Sequence, residues 1–184
     1  MSEIKQMKEI QIRDKKFRVL ISSDKIQEGI SRVAEKINME LKGQQPIFIC
    51  VLNGAFIFAA DLLKKITIEC EISFVKLASY YGTTSSGQVK TLIGLDENVK
   101  NRTVVILEDI VDTGLTVETI VKQLGIFEPA KIKIATLLFK PEAYHKNIKV
   151  DYAALEVPND FLVGFGLDYD GFGRNLEDIY VLVP

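Results

Sequence analysis

Three consecutive segments between Arg102 and Lys140 restrict the fold of this chain more than any other feature. "RTVVILED" is an unbroken apolar run with the branching of a fully buried strand, and "TVETIVKQLG" follows it with helical spacing. "KIKIATLLFK" then supplies a second buried strand. Strand, helix and strand in that order imply two parallel strands joined by a right-handed crossover. A parallel sheet is covered on both faces, so helices are needed on either side of it. One is legible from Ser23 to Gly43, where Ile26, Ile30, Val33, Ile37 and Leu41 recur every three or four residues and line one face. Ser23 is the expected N-cap and Gly43 the expected stop.

The remaining segments fit an α/β frame. "IFICVL", after Pro46, reads as a buried strand, and "NGAFIFAADLLKK" as a turn entering a second helix. "CEISFVKLAS" reads as a further strand. It leads into "YYGTTSSGQVKT", which has no core-building pattern and is expected to be a mobile loop. The tail holds short apolar runs, "DYAALEV", "FLVGFG" and "IYVLV", broken by Pro158 and glycines; short strands on the sheet edge are expected. With 184 residues and no repeat or linker, the expectation is one domain spanning residues 1–184.

Composition excludes several classes. A formal net charge of −2 argues against a general nucleic-acid binder, so an anionic ligand has to be held by a local site. The two cysteines, Cys50 and Cys70, sit in apolar runs and are expected as buried, reduced thiols. With one histidine, His145, and no CxxC pair, a thiolate–imidazole zinc site is set aside. The N-terminal segment is charged and lacks an apolar core, so it does not read as a signal peptide. No apolar stretch reaches the roughly 20 residues needed to span a bilayer. A cytoplasmic protein with no membrane partner is expected.

"VVILEDIVDTGLT" carries the chemistry. Ligands of open α/β sheets bind at the carboxyl ends of the strands, which is where Glu108 and Asp109 fall. The following residues turn into a helix whose first N–H groups attract an anion. Thr113 and Thr116 add hydroxyl donors, and Gly114 lets the backbone approach closely. A phosphate cradle beside two carboxylates suits a mixed ligand: a sugar phosphate with its hydroxyls toward the acids, or a phosphate bridged by Mg²⁺. The bland alternative is a strand end with incidental acids and Asp112 as a helix cap.

This stretch resembles the phosphoribosyl-pyrophosphate motif of the type I phosphoribosyltransferases. "VLNGAFIFAADL", "LASYYGTTSSGQVK", "LLFKPE" and "FLVGFGLDYDGFGRNL" resemble segments of the hypoxanthine-guanine branch, in the same order and spacing. The resemblance covers residues 10–182. It implies a central, mostly parallel sheet flanked by helices, with a core at about 23–140. A small hood would come from the N-terminal segment and about 150–184. It also implies purine salvage: the 5-phosphoribosyl group passes from phosphoribosyl pyrophosphate to a 6-oxopurine, with Mg²⁺ as cofactor, in a homodimer or homotetramer.

The resemblance further assigns roles to positions of this chain. Glu108 and Asp109 take the ribose hydroxyls, and Asp112, Thr113, Gly114, Leu115 and Thr116 the 5′-phosphate. Asp112 stands near purine N7, where a carboxylate can accept the base proton. Leu52, Asn53 and Gly54 match the pyrophosphate loop, although many relatives carry a basic residue in place of Asn53. Leu115 likewise replaces a lysine found in some relatives. Lys140 contacts the purine O6 region, because an ammonium can donate to an oxo group and not to an amino group. Phe161 stacks on the base and Leu162 reads its edge. Asp168 matches a position associated with a second magnesium and with the purine's 2-position, so that Glu108, Asp109 and Asp168 are the candidate metal ligands. Arg174 reaches the pyrophosphate bidentately. Ser79 and Tyr80 open the lid that excludes water from an oxocarbenium-like state. On the residues alone, Lys140 is equally an exposed strand-end lysine, Phe161 a core residue, and "LNGA" a plain turn. A regulatory nucleotide- or RNA-binding module on the same fold, a xanthine-preferring relative and a phosphoacceptor receiver domain are the rival readings. The receiver class needs an acceptor Asp that "CVLNGAF" lacks.

Overall fold

The structure, a computed structural model, describes residues 9–81, 88–95 and 98–183. The large sheet has six strands: β3 (Ile47–Leu52), β4 (Glu71–Tyr81), β5 (Gln88–Ile93), β6 (Thr103–Val111), β7 (Lys131–Phe139) and β8 (Tyr152–Glu156). Their order is β5-β4-β3-β6-β7-β8. All neighbours pair in parallel except β5, which runs antiparallel to β4. The helices are α1 (Ser23–Glu40), α2 (Phe56–Leu63) and α3 (Leu115–Gly125).

The sheet faces explain why the strands read as unbroken apolar runs. On β6, Val105 and Leu107 join one core cluster with α1 and α2, while Val104 and Ile106 join another with α3. The central residues of β6 are therefore buried whichever face they point to, and each such Val, Leu or Ile contributes roughly 1.5–3 kcal/mol of burial free energy. The stripe on α1 behaves as its spacing requires: Ile26, Ile30, Val33, Ile37 and Leu41 are all buried. Its N-cap is Ser22 rather than Ser23, with no side-chain cap bond. Instead the Ser23 amide donates to Asp178 Oδ1 at 2.9 Å, so a distant residue caps the helix. Gly43 lies just beyond the helix at φ 75°.

The chain ends form a second sheet that the strand pattern had not suggested. β1 (Glu9–Ile12), β2 (Lys15–Ile21), β9 (Leu162–Val163) and β10 (Ile179–Leu182) pair antiparallel in the order β1-β2-β10-β9. Of the three tail strands expected on the large sheet's edge, only β8 is there; β9 and β10 build on the N-terminal hairpin instead. Leu162, Phe165, Leu167, Ile179 and Val181 pack into the same cluster as α1 and α2, and a Cβ on Gly166 would lie 2.0 Å from the Gly54 carbonyl oxygen, which sets this segment against the loop after β3.

Two further expectations change. Cys50 is buried, but Cys70 is exposed, because β4 starts only at Glu71 and leaves the thiol in the preceding connection. The polar stretch after Ser79 is partly strand: Ser79 and Tyr80 pair with Lys90 and Val89. The centre of the expected mobile loop, residues 82–87, lies outside the described residues.

Candidate active site

β6 ends at Val111 and α3 begins at Leu115, so Asp112, Thr113 and Gly114 make the whole connection. Gly114 is the N-cap of α3 at φ 83°, in the left-handed region that side chains disfavour. The first helical hydrogen bond runs from the Glu118 amide to the Gly114 carbonyl at 2.9 Å. The amides of Leu115, Thr116 and Val117 thus precede the ladder and are free to meet an anion. These three residues line a cavity of about 370 Å³ together with Glu108, Asp109, Asp112, Thr113 and Gly114, and, from the β3–α2 side, Leu52 and Gly54.

Glu108 is 4% exposed, and its Oε1 has no hydrogen-bond partner. Burial, and secondly the Asp109 charge, hold its carboxyl well above the usual carboxylate range. Asp109 is also raised, chiefly by burial, while its Oδ1 accepts from the Ile110 amide at 2.8 Å. The β3–α2 loop closes directly on this acid. A Cβ on Gly54 would lie 1.5 Å from Asp109 Oδ2, so only glycine lets the loop approach. The Leu52–Asn53 peptide in this loop is cis, and Asn53 is exposed. A buried acceptor without a donor destabilises a fold, which makes the pair a ligand site in waiting rather than an incidental strand end.

Asp112 and Lys140 are brought together by register. β6 and β7 pair as far as Val111↔Phe139, and the Lys140 amide donates to the Val111 carbonyl at 3.0 Å. The two following residues therefore stand side by side. Lys140 Nζ meets Asp112 Oδ2 at 3.0 Å, with side chains 8% and 44% exposed. This corrects two bland alternatives: Lys140 is buried rather than a solvated lysine, and the helix cap is Gly114 rather than Asp112.

The terminal sheet and the segment between its last two strands carry the remaining candidate residues. Phe161 is 46% exposed rather than core, with its ring edge-on to Tyr169 at 5.9 Å and tilted to Phe17 at 6.4 Å. Leu162 is buried beside it in β9. Arg174 donates to Asp168 Oδ1 at 2.5 Å and to the Gly166 carbonyl at 2.6 Å. Asp168 Oδ2 accepts from the Gly171 amide at 2.6 Å. Arg174 lowers and Asp168 raises the Asp109 carboxyl, each less than burial does, so both groups act on the acid pair. Asn53, Lys140, Phe161, Leu162, Asp168 and Arg174 do not line the cavity. Ser79 and Tyr80 sit in β4, and His145 is exposed. Among the described residues, no three His, Cys, Asp or Glu side chains converge as a self-sufficient metal site. Sequence reasoning missed Tyr144 and Lys146, which pack behind Gly114. Nothing in the local pattern marks them, because the contact crosses from the β7–β8 connection to α3.

Known proteins resemble this chain in sequence and fold. The model of the phosphoribosyl transferase domain matches residues 22–170. The hypoxanthine-guanine phosphoribosyltransferase of Lactococcus lactis is 42% identical over 168 residues, 91% of this chain and 91% of that protein. The enzyme of the same name from Mycobacterium tuberculosis is 38% identical over 173 residues, 90% of this chain and 86% of that protein. A crystal structure of a Bacillus anthracis hypoxanthine-guanine phosphoribosyltransferase, with a HEPES molecule in its active site, superposes at a TM-score of 0.83 and 33% identity. That alignment covers 94% of this chain and 100% of the other. With a family model matched over residues 22–170 and relatives about 40% identical along nine-tenths of its length, the chain belongs to the phosphoribosyl transferase family.

Proposed function

We propose that this chain transfers the 5-phosphoribosyl group of phosphoribosyl pyrophosphate to hypoxanthine, and also to guanine, giving the purine mononucleotide and pyrophosphate. One observation carries the reading: a single cavity joins the phosphate turn and the acid pair to Asp112, itself paired with a buried Lys140. The 5′-phosphate is received by the turn amides and the Thr113 and Thr116 hydroxyls. The ribose hydroxyls donate to Glu108 and Asp109, which supplies the partner that Glu108 Oε1 lacks. Lys140 donates to the purine O6, and Phe161 offers its exposed face to the ring.

In the reaction, a nitrogen of the base forms a bond to the anomeric carbon as the bond to pyrophosphate oxygen breaks. Pyrophosphate leaves with the electron pair, and the base proton passes to Asp112. Catalysis rests on holding the reactants in line and on charge placed before the reaction, so no nucleophilic side chain is required. Arg174, through Asp168, and the amides of the Leu52–Gly54 loop are suited to the leaving group. Ser79 and Tyr80 are assigned to the lid.

The donor set fits magnesium. It is all oxygen, includes an orphaned buried carboxylate atom, and has no protein-only cage, whereas Mg²⁺ takes one or two carboxylates plus substrate oxygens. Glu108, Asp109 and Asp168 would hold it, and it would supply neutralisation of the departing pyrophosphate. A homodimer or homotetramer is supported by the exposed apolar side chains Phe56, Ile72 and Phe74 on α2 and β4. A cytoplasmic location is supported by two free thiols, one of them exposed. Among the described residues no helix is long and apolar enough to cross a membrane. The shared core cluster supports a single domain with the terminal sheet as its hood.

The test is steady-state turnover with phosphoribosyl pyrophosphate and Mg²⁺, offering hypoxanthine, guanine, xanthine and adenine separately. Hypoxanthine and guanine should react and adenine hardly at all. Turnover of none of the four, or a preference for adenine, would refute the reading.

A further inference from the structure

The phosphate turn is braced from behind by a segment that does not line the cavity. Tyr144 and Lys146, in the β7–β8 connection, fill the space that a side chain on Gly114 would need. A Cβ there would lie 2.5 Å from Tyr144 Cε2 and 2.7 Å from Lys146 Cγ. Both residues are themselves fixed. The Tyr144 hydroxyl donates to the Ile148 carbonyl at 2.5 Å, and its ring meets Phe139 edge-on at 5.4 Å. The Lys146 stem lies against the turn, while its ammonium reaches Glu118 Oε2 at 2.8 Å.

Glu118 is an acid in the first turn of α3. An acid there suits the helix dipole, but it also stands within about one helical turn (roughly 5 Å of rise) of the amides that receive a phosphate. Two lysines answer it. Lys122 reaches its other oxygen at 3.3 Å, but that side chain is 73% exposed and well screened. Lys146 is 24% exposed and so keeps more of its field. Together they hold the Glu118 carboxyl below the usual range, Lys146 contributing first. The turn itself offers no cation, since Leu115 occupies its exposed position.

We infer that Lys146 is a positioning residue for the phosphoribosyl donor: its stem fixes the Gly114 turn, and its ammonium cancels Glu118 beside the bound 5′-phosphate. The inference rests on the phosphoribosyltransferase reading above. Lys146→Met keeps the stem and removes the charge. It should raise KM for phosphoribosyl pyrophosphate about 5- to 10-fold at low salt, on the scale of a partly screened charge pair, with kcat and the hypoxanthine KM within about twofold. Lys146→Arg should behave as the wild type. Adding Glu118→Gln to Lys146→Met should restore the donor KM, because the charge needing cancellation is gone. A merely structural role predicts neither the restoration nor a loss confined to the donor. An unchanged donor KM in Lys146→Met, an equal rise in the hypoxanthine KM, or a double variant as weak as the single would each overturn the inference. If the wild type turns over no base, the functional reading fails instead. Titration with ribose 5-phosphate then decides the inference: weaker binding to Lys146→Met supports it, and equal binding overturns it.

Discussion

Asp112→Asn separates the chemistry of this site from its architecture, because the same carboxylate serves both. In the structure it is the partner of a buried ammonium at 3.0 Å. At an effective dielectric constant of 20, a unit pair at that distance gains about 5.5 kcal/mol of gross Coulomb energy. Asp112 is 44% exposed, so solvent returns much of this when the charge is removed, and the amide oxygen can still accept from Lys140. The net loss of stability is therefore about 1–2 kcal/mol, below the 3–5 kcal/mol of a fully buried broken pair. For a chain of this size that is a fall in Tm of about 2–8 °C.

Turnover should respond on another scale. An amide cannot take the base proton, and a positioned general base is worth roughly 10²–10⁴ in rate. We expect kcat to fall at least ~100-fold, with both KM values within about threefold, since the backbone amides of the turn and the acid pair keep their places. Single-turnover kinetics should accompany the steady state, because slow product release can mask a loss in the chemical step. A single-turnover rate within twofold of the wild type would refute the role of Asp112 as base, whatever happens to Tm.

Three other outcomes follow from the same geometry. Gly54→Ala puts a Cβ 1.5 Å from Asp109 Oδ2, so the carboxylate must leave its place; KM for phosphoribosyl pyrophosphate should rise about tenfold or more, with roughly 1–3 kcal/mol of overpacking seen in thermal melts. Glu108→Gln should stabilise the unliganded chain while weakening donor binding. The folded carboxyl titrates well above its ordinary 4.5, so the unfolded chain releases this proton first and stability falls as pH rises above that value. The gain in Tm should thus widen above pH 4.5, and a gap independent of pH would count against the buried charge. Tyr152 is pushed up to about 12, first by burial and then by its bond to Glu40, so its contribution is complete below pH 10 and lost between 10 and 12. Alkaline melts of Tyr152→Phe should show a shallower limb in that window, though not a flat one, because Cys50 is also raised to about 12.

What the sequence disclosed followed the range of the forces involved. The β6–α3–β7 unit was legible because its strands are buried on both faces and its turn is written in contiguous residues. The phosphate cradle needs only backbone amides, so Leu115 in place of a lysine did not obscure it. Burial of Lys140 was not legible, since a lysine after an apolar strand looks solvated until register sets it against Asp112. The N-terminal hairpin was hidden by its charges: in "EIQIRDKKFRVLI" the polar residues of the alternating strands drew attention only to what the segment is not, a signal peptide. Ile12 and Phe17 are buried only because Val163 and Tyr180 come back to meet them from the far end of the chain. Cys70 failed for the opposite reason, as an apolar run was extended one residue past the true start of its strand.

The costs borne by this cavity identify its ligand better than its shape does. Glu108 Oε1 is a buried acceptor with no donor, Lys140 a buried ammonium held by a half-exposed acid, and the first turn of α3 lines the open cavity. Each defect destabilises the empty fold, and no common structural need links them. A single molecule removes all three if it carries hydroxyls, a phosphate and a neighbouring oxo group in that order along the β6 and β7 strand ends. The register makes the order physical: Glu108 and Asp109 lie on β6, the amides follow at the start of α3, and Lys140 stands one strand over, tied to Asp112 between them. A sugar phosphate beside a 6-oxopurine meets that sequence of needs. A bare phosphate answers the amides and leaves both Glu108 and Lys140 unmet.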